Sequence, residues 1–303
     1  MIDEKYYWTP GNELTLDNYL QKRRPSIVTK DDTEWIYIGK PSSEDSGGET
    51  KVDAIAKAIC LGKVVVDKLT VRVKAIESDS NIPRNAKNGK RSKKSMRDEL
   101  GNDAAKELQK IVMTTGYTEG KLMLFVPPEQ VDAVWTQIGR SVAHGPLHEA
   151  GVTNAKVSPT RTDSPSSKHL FCIYIDNAYD TGLIRKVATV LLKDHGLDPT
   201  GAKSNLYNHL GIDSSHPSQL RPTTFRLDEA LKAQYDPKVE KERNKTAATA
   251  AATDGQSIKP GANSAKRQHS NATDKKPVAK RPKTAATMYK EGDMFAGSDD
   301  EEK

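Results

Sequence analysis

Cysteine is nearly absent: the chain of 303 residues carries two, Cys60 and Cys172. Two isolated thiols exclude a disulfide-stapled scaffold, and no zinc-type spacing is present. Both lie in apolar periodic segments, so both are expected as buried, reduced thiols. Long apolar runs are missing too, and none approaches the ~20 residues that span a bilayer. The first residues, MIDEKYYWTPGNE, lack a positive region followed by an apolar core, which argues against a secretory signal. A soluble protein of a reducing compartment is the expectation. Aromatic residues are few, at 6%, against 29% charged residues. That average conceals a globular part and a polar tail. Acidic residues vanish locally: residues 84–97 hold seven basic side chains and no acidic one, which accounts for most of the net charge of +6.

What is present is organised around residues 120–159. A strand over 121–126 is apolar on both faces and ends at Pro127 and Pro128, because proline cannot donate to a ladder. Proline also suits the first turn of the helix that follows. Val131, Val134, Trp135, Ile138 and Val142 recur at spacings of three and four, which makes one apolar stripe. Trp135 lies on that stripe and is expected in the core. Gly145-Pro146 stops the helix, and 154–158 reads as another strand. His144 and His148 therefore lack helical spacing and are not read as a metal pair.

Upstream, Tyr6, Tyr7 and Trp8 are expected as core, 14–20 as a short helix, and 34–39 as a strand rich in β formers. Val52 to Ile59 marks a helical face that continues toward Ile76, with a break near Gly62 left open. Residues 78–97 read as a disordered basic insertion; a helix resumes over 104–113. Downstream, 169–176 reads as a central strand. Asp180 is a candidate helix N-cap, and Lys193 and His195 fall where positive charge favours a helix end. Residues 217–227 alternate as an edge strand. The pattern predicts an α+β domain over 1–234, with an antiparallel or mixed sheet and helices on one face. A disordered basic tail is expected over 235–303.

The ordered string TGYTEGKLMLFVPPEQVDAVWTQIG, NAKVSP, KHLFCIYIDNAYD, AKSNLYNHLGI and LRPTTF resembles the basophilic-leukaemia-expressed (Bles-type) protein family. The resemblance implies a fold like that of translation initiation factor 4E: a curved, mainly antiparallel sheet with helices on its convex face. It also places the family's recurrent polar positions on Lys121, Lys156, Tyr174, Lys203, Tyr207 and Arg221. Ser204 and Asn205 depart from the family's usual proline and acidic residue, and 214–219 replaces a tryptophan-containing turn.

Lys156, Lys203 and Arg221, converging on the concave face, would attract a phosphate. Tyr174 and Tyr207 would hydrogen-bond it or stack on a base. The expected function is a non-catalytic binding protein for RNA or another phosphate-bearing ligand, with no cofactor, no metal and no membrane partner. One alternative is a phosphothreonine lyase, a label carried by bacterial relatives. It would need Lys156 or Lys203 as base and His209 or His169 as acid. Another is a peptide-binding scaffold. Cap binding needs two aromatic planes that Trp8, Trp35 and Trp135 do not supply. In the tail, Lys266-Arg267, Lys275-Lys276 and Lys280-Arg281 with Lys283 resemble a two-cluster nuclear import signal. An import receptor is thus an expected partner, and nucleus and cytoplasm the expected locations. Ser298, followed by Asp and Glu, resembles an acidophilic-kinase site, where a phosphate would add negative charge.

Overall fold

The structure, a computed structural model, describes residues 4–39, 48–86, 89–228 and 231–232. Its frame is one six-stranded sheet. The strands are β1 (Tyr7–Trp8), β2 (Ile36–Gly39), β3 (Gly120–Val126), β4 (Val152–Val157), β5 (His169–Ile175) and β6 (Gly201–Ser204). Their spatial order is β1-β2-β4-β5-β3-β6. Every pairing is antiparallel except β1 with β2, so the sheet is mixed but mainly antiparallel. β5 lies centrally, as its two apolar faces predict.

Side chains alternate across a strand, so each strand sends every second residue to one face. Ile36 and Ile38, Leu122, Leu124 and Val126, Ala155 and Val157, and Phe171, Ile173 and Ile175 form one buried layer. Helices α1 (Leu16–Lys22), α4 (Val131–His144), α5 (Pro146–Ala150) and α6 (Thr181–Lys193) cover it. Trp135 is fully buried there, edge-on to Phe171 at 6.1 Å between ring centroids. Asp180 caps α6, accepting from the N–H groups of Gly182 and Leu183. Tyr6 and Trp8 join the same core.

A second cluster forms beside this layer. Helix α2 (Gly48–Ser78) and helix α3 (Lys93–Thr115) pack as a hairpin. They enclose Leu206, Tyr207 and Leu210, at and just beyond α7 (Asn205–His209). Since α7 follows β6 directly, it ties the hairpin to the sheet. Among the described residues, no helix is long and apolar enough to cross a membrane.

Three expectations change, and the question left open at Gly62 is answered. Helix α2 runs unbroken through Gly62, where an added Cβ would lie 2.9 Å from Leu210 Cδ1. The glycine is a place of close approach, not a break. The insertion expected over 78–97 is trimmed at both ends: Ser78 ends α2, and Lys93 to Arg97 open α3. Ser92 caps α3 by accepting from Ser95 N–H, and Arg97 reaches back to Glu77 Oε1 at 2.5 Å. Residues 217–227 form no strand; Phe225 makes one isolated bridge to Ala202. Two prolines and Gln219, at φ +54°, prevent a ladder there. Cys172 is buried, but Cys60 is exposed, because it falls on the outer face of α2. The import-signal residues and Ser298 lie outside the described residues.

Candidate functional site

The sheet face opposite α4 and α6 takes the other set of alternating side chains. Register places Tyr174 of β5 directly opposite Lys121 of β3, and Lys121 directly opposite Lys203 of β6. Lys156 of β4 pairs with Tyr37 of β2 on one side and Cys172 on the other. Four of the six expected site residues (Lys121, Lys156, Tyr174 and Lys203) therefore share one face on four adjacent strands. Side chains directly opposite each other stand ~4.5–5.5 Å apart at Cβ, so these groups touch as neighbours.

The electrostatics are built from cations and rings. Lys156 Nζ sits 3.8 Å from the Trp35 ring centroid, 5.7 Å from Tyr37 and 5.9 Å from Tyr174. Lys121 Nζ lies 5.8 Å from the same Tyr174 ring. Tyr174 is thus shared by two ammonium groups, each attracted to the ring quadrupole. Trp35, Tyr37, Lys156 and Tyr174 are half-buried, whereas Lys121 and Lys203 are each 3% exposed. The arrangement is an accessible aromatic end grading into a buried cationic floor. Trp35 and Tyr37 were legible as strand residues, but their contact with Lys156 depends on a β2–β4 register that spacing alone does not reveal.

Tyr207 and Arg221 do not join that face. Both line a cleft between α3 and residues 219–224, and none of the three sheet lysines lines it. Tyr207 is 1% exposed, and burial, with Tyr179 beside it, pushes its phenol well above the usual tyrosine range. Arg221 is exposed.

The histidines expected for a lyase also lie elsewhere. His169 shares alternation with Phe171, on the helix-covered side, and its Nδ1 lies 2.8 Å from the Ser158 carbonyl. His209 is exposed on α7, 3.0 Å from Tyr117 Oη. His195, expected as a cation at the end of α6, is held instead by Ser141 Oγ, 2.9 Å from its Nε2. Burial pulls its pKa below the ordinary histidine value, against a smaller upward effect of Asp194. Gly145 separates α4 from α5, so His144 and His148 sit on different helices. No cluster of three or more metal-ligating side chains occurs among the described residues.

Fold and face together define an α+β protein with one mixed sheet, helices on one side and a lysine–aromatic surface on the other. The chain belongs to a named family: the model of the basophilic leukemia-expressed protein Bles03 matches residues 4–210. That span runs from β1 through α7 and stops short of Arg221. No curated protein matches the chain.

Proposed function

We propose that this protein is a non-catalytic binding module whose lysine–aromatic sheet face takes a single-stranded, RNA-like ligand. The observation that supports this most is the contiguous row in which Tyr174 faces Lys121 and Lys121 faces Lys203, with Lys156 against Trp35 at its accessible end. Single strands are held by two kinds of contact: cations along the backbone and aromatic faces under the bases. Both kinds occur here, on the strands or, for Trp35, directly before β2. A phosphate would meet Lys156 at the accessible end, with the buried Lys121 and Lys203 adding positive potential beneath it, while Trp35 and Tyr37 would meet a base. The basic clusters of the tail, from Lys266 to Lys283, would add non-specific contacts and direct import.

The test is fluorescence anisotropy of a labelled ten-nucleotide RNA with the full chain, across ~50 to 200 mM salt. Binding should weaken steeply with salt. Trp35→Ala should weaken it by about tenfold or more, the scale of one base–aromatic stack. Lys156→Ala should weaken it and lower the salt slope. Binding untouched by both changes would sink the proposal, and would assign any affinity to the tail alone. A phosphothreonine peptide that loses its phosphate on incubation, with loss abolished by Lys156→Ala, would replace it with the lyase reading.

A further inference from the structure

The cleft that holds Tyr207 and Arg221 has the chemistry of a separate site. It has a volume of about 220 Å³. Pockets for drug-sized molecules run to ~300–1,000 Å³, so this one suits a single small group and not a whole nucleotide. Its walls carry Arg97, Lys106 and Arg221 against one carboxylate, Asp98. Lys106 also lies 3.6 Å from Asp103, outside the cleft, and Glu77 holds one Nη of Arg97. Those two carboxylates and Asp98 balance the three cations, and among the described residues Arg221 is the lining cation without an acidic partner.

Several of these groups have bonding capacity left. Among the described residues, Arg221 makes no side-chain hydrogen bond or ion pair. Arg97 Nε is shut off from solvent and has no hydrogen-bond partner. Tyr179 Oη, also in the lining, is likewise shut off from solvent, with Ser204 beside it. Burial pushes the Tyr179 phenol up to about 12, against a smaller downward pull from Ser204, so it stays a protonated donor. A buried donor without an acceptor is costly and calls for an explanation. The backbone beside it is unusual as well. Gln219 is the one non-glycine residue with positive φ among the described residues, and its side chain accepts from Arg97 Nη1. Backbone held in a sparsely populated region gathers at ligand clamps. Here it sets Arg221 at the cleft mouth.

We infer that this cleft is a phosphomonoester site, distinct from the sheet face and independent of the proposal made for it. A phosphomonoester is a dianion above its second pKa near 6 and accepts through three oxygens. That matches the open guanidinium fork of Arg221 and the buried Nε–H of Arg97, with the phenols of Tyr179 and Tyr207 as neutral donors behind them. The organic part must be small or must trail into solvent. A free metabolite and a phosphorylated side chain share this chemistry, and the test separates them.

The experiment is isothermal titration of the full chain with phenyl phosphate, with a short phosphoserine peptide and its unphosphorylated form, and with sulfate. Phenyl phosphate or the phosphopeptide should bind, and binding should strengthen as pH rises from 5.5 to 7.5. Sulfate, already a dianion, should show no such rise. Tighter binding of phenyl phosphate would identify a small metabolite, and tighter binding of the phosphopeptide a modified protein. Arg221→Ala should weaken binding at least tenfold. Tyr179→Phe, which keeps the ring and the fold, should weaken it three- to tenfold. Lys156→Ala should leave it unchanged. The inference falls if no phosphomonoester binds at 10 mM, or if both cleft variants bind like the parent. It also falls if Lys156→Ala abolishes binding, which would move the phosphate to the sheet face.

Discussion

The two cation-bearing regions of this molecule are built in opposite ways. On the sheet, Lys121, Lys156 and Lys203 come from three strands, and the register of the ladder fixes their spacing. In the cleft, Arg97 comes from a helix and Arg221 from a segment without regular structure, joined by a side-chain bond to Gln219. The first arrangement is a row, with aromatic planes beside point charges. The second is a pocket, with guanidinium groups in front of phenols. Cations of the same sign therefore do not mean the same recognition. A row suits an extended polyanion, and a pocket suits one compact dianion.

That contrast extends to the cores beneath, and three changes test it. Trp135→Ala should be the most damaging. The side chain is fully buried in the sheet layer, and such truncations cost about 3–5 kcal/mol. Against a typical total of ~5–15 kcal/mol this leaves a marginal fold. Urea unfolding followed by circular dichroism should nonetheless show one transition, because Leu210 and Gly62 interlock α7 with the hairpin. Two resolved transitions would mean that the sheet layer and the hairpin are separate units.

Gly120→Ala comes next and strikes where the two regions meet. A Cβ there would lie 2.4 Å from Ala178 Cβ and 2.5 Å from the Lys203 carbonyl oxygen. Neither atom is the end of a flexible side chain, so the backbone must shift, at about 1–3 kcal/mol. Lys203 lies on the sheet face and Ala178 precedes Tyr179 of the cleft. Both proposed binding activities should therefore weaken in a protein that is still folded at 20 °C. Loss of one alone would show that the two regions do not share this joint.

The smallest effect is that of pH. His195 lies beside α4 and His216 in the segment leading to the cleft, and burial lowers the pKa of both. Smaller acidic influences oppose it: Asp194 on the first, Asp213 and Asp67 on the second. Above the ordinary histidine pKa of about 6.5 both groups are neutral in either state and contribute no difference. As pH falls below it, the unfolded chain takes up protons that the folded chain resists, so stability declines. Melting temperature should drop modestly between pH 7.5 and 5.5. His195→Gln and His216→Gln should each flatten part of the slope, and an unchanged slope in the double variant would exclude this origin.

Much of this architecture could be read from residues alone, where the signal was local. The stripe through Trp135 and Ile138, the prolines after Val126 and the Asp180 cap each act within one or two turns. What stayed hidden depends on partners distant in the chain. Gly62 looks like a helix breaker until Leu210 is packed on it. Residues 93–97 look too polar to order until Arg97 meets Glu77 and Gln219. Arg221 and Lys203 looked like one constellation because the family resemblance places recurrent polar positions on both. The alternation of β6 and the course of 219–224 separate them. Register, above all, is invisible in spacing: it set Lys121 against Tyr174 and Lys156 against Trp35.

The strand order also dictates a sequence of events on a growing chain. β2 pairs with β4, yet α2, α3, β3, α4 and α5 are all made between them. The α2–α3 hairpin needs only neighbouring chain, and local contacts close early because their loops cost little entropy. Ile36–Gly39 has no antiparallel partner until β4 appears. Trp35 and Tyr37 therefore reach their places against Lys156 only after the chain has been made through Val157.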